Sequence, residues 1–329
     1  MIRALYYSPD SPLDAEFPLE KFASALQNPK GLLWVDFTGE PPAVCEPLMR
    51  DVFGFHPLAI DDALQETHIP KVDDWGDYLY IVLNVLAFRE ENGGLTPVIQ
   101  ELDVFLGQNY IVTHHDEPLG PIDETWAACQ RDPRHVQNGA DHLLYRLIDT
   151  LVTAYMPLVE QIDRSIDELE DQVFSKPTPE TLERLFTLKR TLLAMRRIIA
   201  PQREVLNKLA RDDYRMIDPR DRIFFRDIYD HLVRLHDLNE SMRDLVGGAL
   251  DMYLSVINNR MNEVMKTLTV ITSLFMPISF VAGFFGMNFF APAVQMTRWT
   301  DQTAFIVMLL ITLLVPISMY IWMRRRTWV

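Results

Sequence analysis

The chain has 329 residues, of which 48% are hydrophobic and 11% aromatic, a composition that excludes a disordered or fibrous protein. Its 46 acidic and 31 basic side chains give a formal net charge of −15, which argues against a nucleic-acid-binding protein, because phosphate recognition needs clustered lysine and arginine. The length predicts two or three structural units, and the two distant cysteines, Cys45 and Cys129, indicate a reducing compartment rather than a disulfide framework.

The first part of the chain, residues 1–134, mixes strand and helix patterns and predicts a cytoplasmic α/β domain. β-Branched and aromatic residues dominate four runs, which predicts buried strands at 32–37, 78–86, 98–106 and 110–113. The last two strands are expected to form a hairpin. Short helices are predicted at 42–53 and 57–66, because each has proline in its first turn.

Residues 135–217 show no further strand pattern and predict a helical hairpin. An amphipathic acidic helix is expected over 137–175, and a basic helix from Thr178 to about residue 210, with a proline-containing break at 175–179. Acidic side chains crowd the first helix at Asp163, Asp167, Glu168, Glu170 and Asp171. They either attract cations or form a solvated face paired with the arginines of the second helix.

A long helix is predicted to follow, with residues 218–265 as its cytoplasmic stalk. Asp218 and Pro219 have the pattern of a helix N-cap followed by proline at the first helical position. No further proline occurs before Pro277, so the helix is expected to continue to about residue 286 despite the glycine pair 247–248. Its apolar stripe requires a partner, which is either the helical hairpin or other copies of the chain.

Two long uncharged runs near the C-terminus predict membrane spans. From residue 266 onward five basic residues stand against one acidic residue, a charge of +4, so residues 1–265 carry −15 − 4 = −19. No charge occurs for 31 positions after Lys266 or for 22 positions after Asp301. Both runs exceed the roughly 20 apolar residues that cross a bilayer. We therefore predict spans at 266–289 and 302–323; two buried core helices of a soluble protein are the alternative.

The flanking charges predict the orientation of these spans. Arg260 and Lys266 precede the first span, and the basic tail 324–329 follows the second. The connecting loop, residues 290–301, contains one positive charge, Arg298, and one negative charge, Asp301, which cancel. The positive-inside rule therefore places both termini in the cytoplasm and the loop outside. No signal-peptide pattern is found at the N-terminus, so a multi-pass protein of the inner (plasma) membrane is expected.

One face of the first predicted span carries polar and small residues without charge. Its members are spaced alternately three and four positions apart: Asn262, Met265, Thr269, Thr272, Met276, Ser279 and Gly283. Repeated around an axis, this face predicts an uncharged pore with polar rings and apolar constrictions that could gate by dewetting. Ordinary packing of small residues between helices in lipid is the alternative interpretation.

The outer end of the first span carries a family signature. Gly286-Met287-Asn288, followed by Phe289, resembles the GMN motif of the CorA family of Mg²⁺/Co²⁺ channels. Further segments resemble the family at residues 262–266, 275–277, 225–231, 56–58 and 70–72. The resemblance implies an α+β membrane protein that forms a funnel-shaped homopentamer. Five first-span helices would line its pore, and the second spans would form an outer ring.

The same resemblance places Gly286, Met287 and Asn288 at the mouth of the pore as its selectivity site. Mg²⁺ holds its inner water molecules tightly, so a ring of neutral Asn288 amides could bind the hydrated ion at low desolvation cost. Gly286 would permit a tight exit from the helix; a plain helix C-cap with left-handed glycine and asparagine is the structural alternative. Family members commonly have an acidic residue in the following loop. This chain has none before Asp301, which bears on the capture and selection of cations.

A regulatory metal site between subunits is also implied by the resemblance alone. Its ligands are expected to be Asp62 and Asp227, with Asp61 and His231 nearby. His231 lies four positions after Asp227 and therefore on the same helix face. Cytoplasmic Mg²⁺ is expected to hold the closed state, and its loss to release it. Ordinary surface ion pairs of Asp227 with Arg226 or Arg234 are the alternative.

Enzyme function finds no support in the sequence. The phosphate-loop, dinucleotide, zinc-protease and esterase motifs are absent, and the nearest candidate, His114-His115-Asp116, is expected in a loop. Three functions remain open: a Mg²⁺ channel that also conducts Co²⁺, a transporter of Zn²⁺ or another divalent cation with proton coupling, and a non-conducting membrane-anchored cation sensor. Met287 favours Mg²⁺, because zinc-transporting relatives tend to vary this position. The expected partners are divalent cations, the lipid bilayer and further copies of the chain, without nucleic acid.

Overall fold

The structure is a computed structural model and describes residues 1–65, 69–91, 94–287 and 302–326. It divides into two compact units, Met1–Leu250 and Asp251–Val329, and the division falls within one long helix. The first unit is a mixed sheet covered by helices, followed by a helical hairpin. The described part of the second unit is helical. The fold class is therefore α+β with two helices that are candidates to span a membrane.

A seven-stranded sheet is the centre of the first unit. Its strands are β1 (Ile2–Ser8), β2 (Ser11–Asp14), β3 (Leu32–Thr38), β4 (Lys71–Asp74), β5 (Leu79–Glu91), β6 (Gly94–Leu106) and β7 (Tyr110–His115). Their order is β2-β1-β3-β7-β6-β5-β4, and only the β3–β7 pair is parallel. The predicted hairpin is confirmed as β6 and β7, with Phe105 opposite Val112.

Helices cover both faces of this sheet and continue into the second unit. They are α1 (Phe22–Leu26), α2 (Pro42–Asp51), α3 (Pro57–Leu64), α4 (Gly120–Arg131), α5 (Arg134–Gln137), α6 (Ala140–Thr153), α7 (Tyr155–Ser175), α8 (Pro179–Arg211), α9 (Arg222–Gly286) and α10 (Gln302–Arg325). On one face, Phe22 of α1, Met49 of α2 and Ile60 of α3 pack with Phe105 into the main apolar core. On the other face, Trp126 of α4 packs against Trp34 with ring centroids 4.7 Å apart.

The structure differs from the sequence-based expectations in three places. Strands β1, β2 and β4 were not predicted, and β7 extends to include both His114 and His115, so these histidines lie in a strand rather than in a loop. The single helix expected over 137–175 is divided at Ala154, because Pro157 lacks the backbone N–H that a continuous helix would need at that position. The long helix begins at Arg222, three residues later than expected, after a turn in which Asp218 accepts a hydrogen bond from the backbone N–H of Arg220 at 2.8 Å.

The N-terminal part of α9 is buried along one stripe in a single chain. The stripe has alternating spacings of three and four residues and consists of Phe225, Ile228, Leu232, Leu235, Asn239, Met242, Val246 and Ala249. Arg196 of α8 forms an ion pair with Glu240 of α9 at 3.4 Å, so the helical hairpin lies beside this stripe. The stripe is therefore covered by other parts of the same chain, and at Glu240 the neighbouring helix is α8. Gly247 and Gly248 do not interrupt the helix.

The helical hairpin pairs opposite charges at one point that the structure describes. Arg184 of α8 lies 3.6 Å from Glu168 of α7 and 3.4 Å from the side-chain oxygen of Gln172. Thr178 caps α8, because its hydroxyl accepts a hydrogen bond from the backbone N–H of Thr181, as expected for a helix start at this threonine. The ion pair supports the interpretation of the acidic helix as a solvated, partly paired face.

The second unit contains two apolar helical segments. α9 and α10 both include segments long and apolar enough to cross a membrane. α9 has 65 residues and is therefore about 98 Å long at a rise of 1.5 Å per residue. Pro277 and Pro316 lie within α9 and α10 without ending them. Both proline positions fall in the apolar segments, where neighbouring helices can satisfy the freed carbonyl groups.

Candidate functional site

The residues predicted to line a pore share one exposed face of α9. All seven, from Asn262 to Gly283, are exposed in the single chain. A stripe of half-buried residues lies on the opposite side of the same segment, formed by Val270, Leu274, Ile278 and Val281. At 100° per residue, the two sets of side chains are about 165° apart around the helix axis. This segment of α9 therefore has a half-buried face, the packed face, opposite an exposed face, the free face, that carries the seven predicted pore residues.

The two threonines in the middle of the free face are oriented by the helix itself. The hydroxyl of Thr269 donates a hydrogen bond to the carbonyl oxygen of Met265 at 2.7 Å, and the hydroxyl of Thr272 donates to that of Leu268 at 2.8 Å. The hydroxyl protons are therefore engaged, and the oxygen lone pairs remain as acceptors. Water molecules around a cation direct their hydrogens outward, so an acceptor-only ring is suited to a hydrated cation.

The predicted selectivity triplet is only partly described. Gly286 is the last residue of α9, and the backbone N–H of Met287 donates a weak hydrogen bond to the carbonyl of Phe284 at 3.4 Å. Gly286 does not have the left-handed φ expected for a glycine C-cap, so that interpretation is wrong for this residue. Asn288 and the external loop lie outside the described residues. The role of the triplet stays a prediction.

Asp62, a predicted ligand of the regulatory site, lies on α3 and has a cationic neighbour. The ammonium group of Lys71, at the start of β4, contacts the carboxylate of Asp62 and lies 3.0 Å from that of Asp73. Partial burial alone would lower the pKa of Lys71, but the two carboxylates outweigh it and raise the pKa above the ordinary value. Lys71 is therefore a fixed positive charge beside the predicted ligand.

The start of α3 is held by hydrogen bonds and ring stacking. The Nδ1 atom of His56 accepts a hydrogen bond from the backbone N–H of Leu58 at 3.2 Å, and its ring stacks on Trp75 at 4.4 Å. The exposed carboxylate of Asp61 accepts a hydrogen bond from the side chain of Gln65 at 2.5 Å. These contacts fix the helix that carries Asp61 and Asp62.

Asp227 and His231 are both exposed on α9, as expected for residues that could contact a second chain. Burial raises the pKa of the Tyr145 hydroxyl on α6, and the nearby carboxylates of Asp149 and Asp227 raise it further. Sequence reasoning missed Asp149. The available signal was its position on the amphipathic helix 137–175, where it interrupts a run of apolar residues.

The predicted cation ligands do not form a complete site within one chain. Among the residues that the structure describes, no group of three or more His, Cys, Asp or Glu side chains is placed to hold a metal ion. Asp62 is paired with Lys71, and Asp227 lies near Tyr145 instead. The described part of one chain therefore shows no metal-binding cluster at either residue.

A buried polar network lies beneath α3. The hydroxyl of Tyr80 donates a hydrogen bond to Asp103 at 2.7 Å, and Nδ1 of His114 lies 3.4 Å from the other oxygen of Asp103. Burial raises the pKa of Asp103, and the hydrogen bond with Asp103 helps to raise that of His114 against the opposing effect of burial. Asp103 and His114 line a cavity of about 400 Å³ that α3 borders with Ala63 and Leu64. The hydrogen bonds within this network are typical of a structural core.

A second buried network on the opposite face of the sheet includes His115. Its Nε2 atom lies 3.1 Å from Asp36, whose other oxygen pairs with Arg3 at 2.8 Å. Hydrogen bonds and charge from His115, with Thr113 and Arg3, outweigh burial and lower the pKa of Asp36. The two histidines of the former enzyme candidate thus point to opposite faces, so they do not form a joint catalytic pair.

Comparison with known proteins identifies relatives along almost the whole chain. The family model described as CorA-like Mg²⁺ transporter protein matches residues 29–325. The cobalt/magnesium transport protein CorA of Thermotoga maritima is 36% identical over 298 residues, which cover 90% of this chain and 83% of that protein. The zinc transport protein ZntB of Yersinia pseudotuberculosis is 25% identical over 274 residues, covering 83% of this chain and 81% of that protein.

A solved structure shows the same fold. The CorA magnesium transporter from Methanocaldococcus jannaschii matches with a TM-score of 0.81 at 22% sequence identity, over 100% of this chain and 99% of that chain. At this level of identity the likeness concerns the fold alone. It confirms the predicted combination of an α/β domain, a long helix and two candidate membrane helices.

Proposed function

Because the chain belongs to the CorA-like Mg²⁺ transporter protein family, we propose that it conducts hydrated Mg²⁺, with Co²⁺ as a second substrate, across the inner membrane. The observation that carries this proposal is the family match over residues 29–325, which includes both candidate spans. The proposed assembly is a homopentamer in which five copies of α9 surround a common axis. The protein acts as a channel and not as an enzyme.

The free face of α9 supports a path for hydrated ions. Along the proposed axis, the hydroxyls of Thr269 and Thr272 form two rings of acceptors, while Met265 and Met276 form apolar rings on either side. Without carboxylates, such a path offers no strong binding site in which an ion could be trapped, and the apolar rings could close it by dewetting. The packed face, with Leu274 and Ile278, would be directed away from the axis.

Asn288 is the residue we assign to the pore mouth. A Mg²⁺ ion keeps its inner water molecules, so recognition acts through hydrogen bonds to those waters rather than by direct ligation. A ring of amide oxygens accepts such bonds without the tight binding that ionised carboxylates would cause. Gly286 and Met287 complete the proposed selectivity triplet with Asn288.

The exposed acids of the first unit support regulation by cytoplasmic Mg²⁺. Carboxylate oxygens are the preferred protein ligands of this ion, so Asp62 of one chain and Asp227 of its neighbour, with Asp61 and His231 at the periphery, fit its chemistry. The bound ion would offset the repulsion between two acidic surfaces. Asp62 and Asp227 would thus hold the closed assembly when the ion is abundant and release it when the ion is scarce.

The charge distribution supports an orientation with both termini in the cytoplasm. Arg324 and Arg325 end α10, and Arg260 precedes the apolar part of α9, so most basic residues of the second unit would flank the spans on one side, with Arg298 in the loop. The acidic first unit would then face the cytoplasm, where it could sense the transported ion.

Flux into liposomes is the test of conduction. We expect Mg²⁺ uptake by the full-length protein to fall about tenfold or more in Asn288→Ala, because each lost amide removes a hydrogen bond of about 1 kcal/mol to the hydrated ion. Asn259→Ala is the matched control, since this exposed residue lies on α9 away from the proposed pore face. Unchanged uptake in Asn288→Ala would remove Asn288 from the pore mouth.

The same assay separates the alternative functions. Uptake of Zn²⁺ in preference to Mg²⁺ that also depends on a proton gradient would indicate a zinc transporter, as the name of the 25% identical relative suggests. The absence of uptake for Mg²⁺, Co²⁺ and Zn²⁺ would instead indicate a membrane-anchored cation sensor and contradict the proposal.

Protection from proteolysis tests the regulatory site. We expect Mg²⁺ to protect the wild-type protein from cleavage and to protect Asp227→Ala much less, because one of the two bridging carboxylates is lost. Asp237→Ala, which removes another exposed carboxylate from the same helix, should behave like the wild type. Equal protection of all three proteins would exclude Asp227 as a ligand.

A further inference from the structure

We propose that Lys71 is a tethered counter-cation of Asp62, which competes with the divalent cation and sets the concentration at which the regulatory site fills. This inference rests on the proposed function, in which Asp62 is a ligand of regulatory Mg²⁺. It adds a specific competitor that belongs to the chain itself.

The position of the Lys71 ammonium group is determined by three neighbours. It contacts a carboxylate oxygen of Asp62 on α3, lies 3.0 Å from Asp73 two residues along β4, and lies 5.2 Å from the centre of the Tyr80 ring. Lys71 and Asp73 share one face of their strand, because alternate residues of a strand point the same way. Asp73 is paired with Tyr80 in the β4–β5 register, which brings the ring to the same place.

The ammonium group of Lys71 can therefore pair with either of two carboxylates, Asp62 or Asp73. A divalent cation that ligates Asp62 must displace the ammonium group, because the two positive charges cannot share one carboxylate oxygen and repel each other. Lys71 can then remain with Asp73 and over the face of Tyr80, where a cation is attracted by the ring. The site can therefore exchange one cation for the other without leaving the lysine unpaired.

Tethering makes the lysine an effective competitor. A group held by a short flexible chain acts at a local concentration in the millimolar range or above, and bulk cations must overcome this. At low divalent-cation concentration the ammonium group of Lys71 therefore neutralises the carboxylate of Asp62. The regulatory site should respond only when the cation concentration is high enough to displace Lys71, which suits a sensor of an abundant ion.

Substitutions at Lys71 test the competition. In the full-length protein, we expect Lys71→Met to lower the Mg²⁺ concentration that gives half-maximal protection from chymotrypsin by about tenfold, because one unit charge next to a divalent ion is removed. Chymotrypsin is chosen because its cleavage does not depend on lysine. Methionine retains the apolar stem over Tyr80. Lys71→Gln provides a second neutral variant with hydrogen-bonding capacity, which we expect to give the same shift.

Two control variants test whether the charge at position 71 is what matters: one keeps that charge, and the other removes a positive charge at a different position. Lys71→Arg retains the positive charge and should keep the half-maximal Mg²⁺ concentration within about threefold of the wild type, since the pairing with both carboxylates is preserved. Lys30→Met removes an equal charge from the exposed loop between α1 and β3 and should leave it unchanged. Melting temperatures without Mg²⁺ show whether each variant is folded.

The outcomes separate this inference from the proposed function. If the wild type and both neutral variants required the same Mg²⁺ concentration for half-maximal protection, the proposed role of Lys71 would be overturned. The proposed regulatory site would not be affected by that result. An equal shift in Lys30→Met would also overturn it, because the effect would then be one of net charge. Absence of Mg²⁺ protection in the wild type would contradict the regulatory site itself, and the inference with it.

Discussion

The two units of the chain differ in how far their apolar side chains are buried. In Met1–Leu250 many large apolar side chains, among them Trp34, Tyr155 and Phe225, are wholly buried by other parts of the same chain. In the second unit the apolar side chains of α10 are exposed, as Leu309 is with 51% of its surface accessible. A soluble protein rarely leaves such an extended apolar surface uncovered. The first unit thus buries its core within one chain, whereas the exposed apolar surface of the second is what a membrane-spanning segment would present to lipid.

The long helix α9 shows this difference within a single element. Its first part buries a regular apolar stripe, and its last part exposes the polar face that includes Thr269 and Thr272. One helix therefore belongs to a self-contained domain at one end and to the proposed pore at the other. This continuity offers a direct physical route by which a change among copies of the first unit could reach the pore.

Replacing one leucine by alanine in each unit should give the largest difference in the loss of folding stability between the two units. Leu232→Ala removes a wholly buried side chain and should destabilise the first unit by about 2–5 kcal/mol, because it leaves a cavity. Leu309→Ala should cost far less, since lipid tails solvate the exposed leucine and the alanine alike. Thermal unfolding of the full-length protein in detergent measures both. Equal losses would show that Leu309 is packed against protein and not lipid.

A smaller effect is expected from a crowded acidic group before α9. Burial, together with Asp141 and Asp218, raises the pKa of Asp221 to about 6. The protonated form is therefore favoured in the folded state, so the stability that it contributes is present at about pH 4 and is lost as the pH rises through about 6. Asp221→Asn should raise the melting temperature by about 2–6 °C at pH 7.5.

The pH dependence provides the control for this substitution. The gain in Asp221→Asn should shrink towards zero at about pH 4, where the wild-type carboxyl group is itself protonated. Asp237→Asn, at an exposed position, should show no such dependence. A gain that is constant with pH would show that charge repulsion is not its cause.

The smallest expected effect concerns a polar residue in the buried stripe of α9. Asn239 is wholly buried, and neither its amide nitrogen nor its amide oxygen has a hydrogen-bond partner among the residues that the structure describes. Replacement by leucine should therefore stabilise the first unit by about 1 kcal/mol, because an unsatisfied amide is costly to bury. Thermal unfolding measures the gain. A loss of stability would show that the amide is hydrated or paired.

Much of the fold could be predicted from local patterns. The β6–β7 hairpin, the cap at Thr178 and the uninterrupted course of α9 through Gly247 follow from residue type and spacing, which are local properties. Strand β1 was not predicted although it is as long as β3, and β4 could not be predicted in this way, because it has four residues and is largely polar. Their strand conformation depends on pairing with β3 and β5, which local sequence does not show.

The candidate site divides in the same manner. The regular spacing from Asn262 to Gly283 predicted a shared face on α9, since helical geometry alone places these residues together. The contact between Lys71 and Asp62 was not predicted, because it depends on β4 lying beside α3. The pairing of Asp62 with Asp227 between two chains stays a prediction, and it came only from family resemblance.

The central claim is that the free face of α9 lines a water-filled path, and its most direct test is thiol accessibility. Cys45 and Cys129 are wholly buried, and burial raises the pKa of the Cys129 thiol to about 12, so the wild-type chain should be nearly silent towards a charged thiol reagent. In liposomes, Thr272→Cys should react with a cationic methanethiosulfonate and block Mg²⁺ uptake, whereas Leu274→Cys, at similar depth on the packed face, should not. Reaction at Leu274→Cys alone, or no reaction at Thr272→Cys, would contradict the claim.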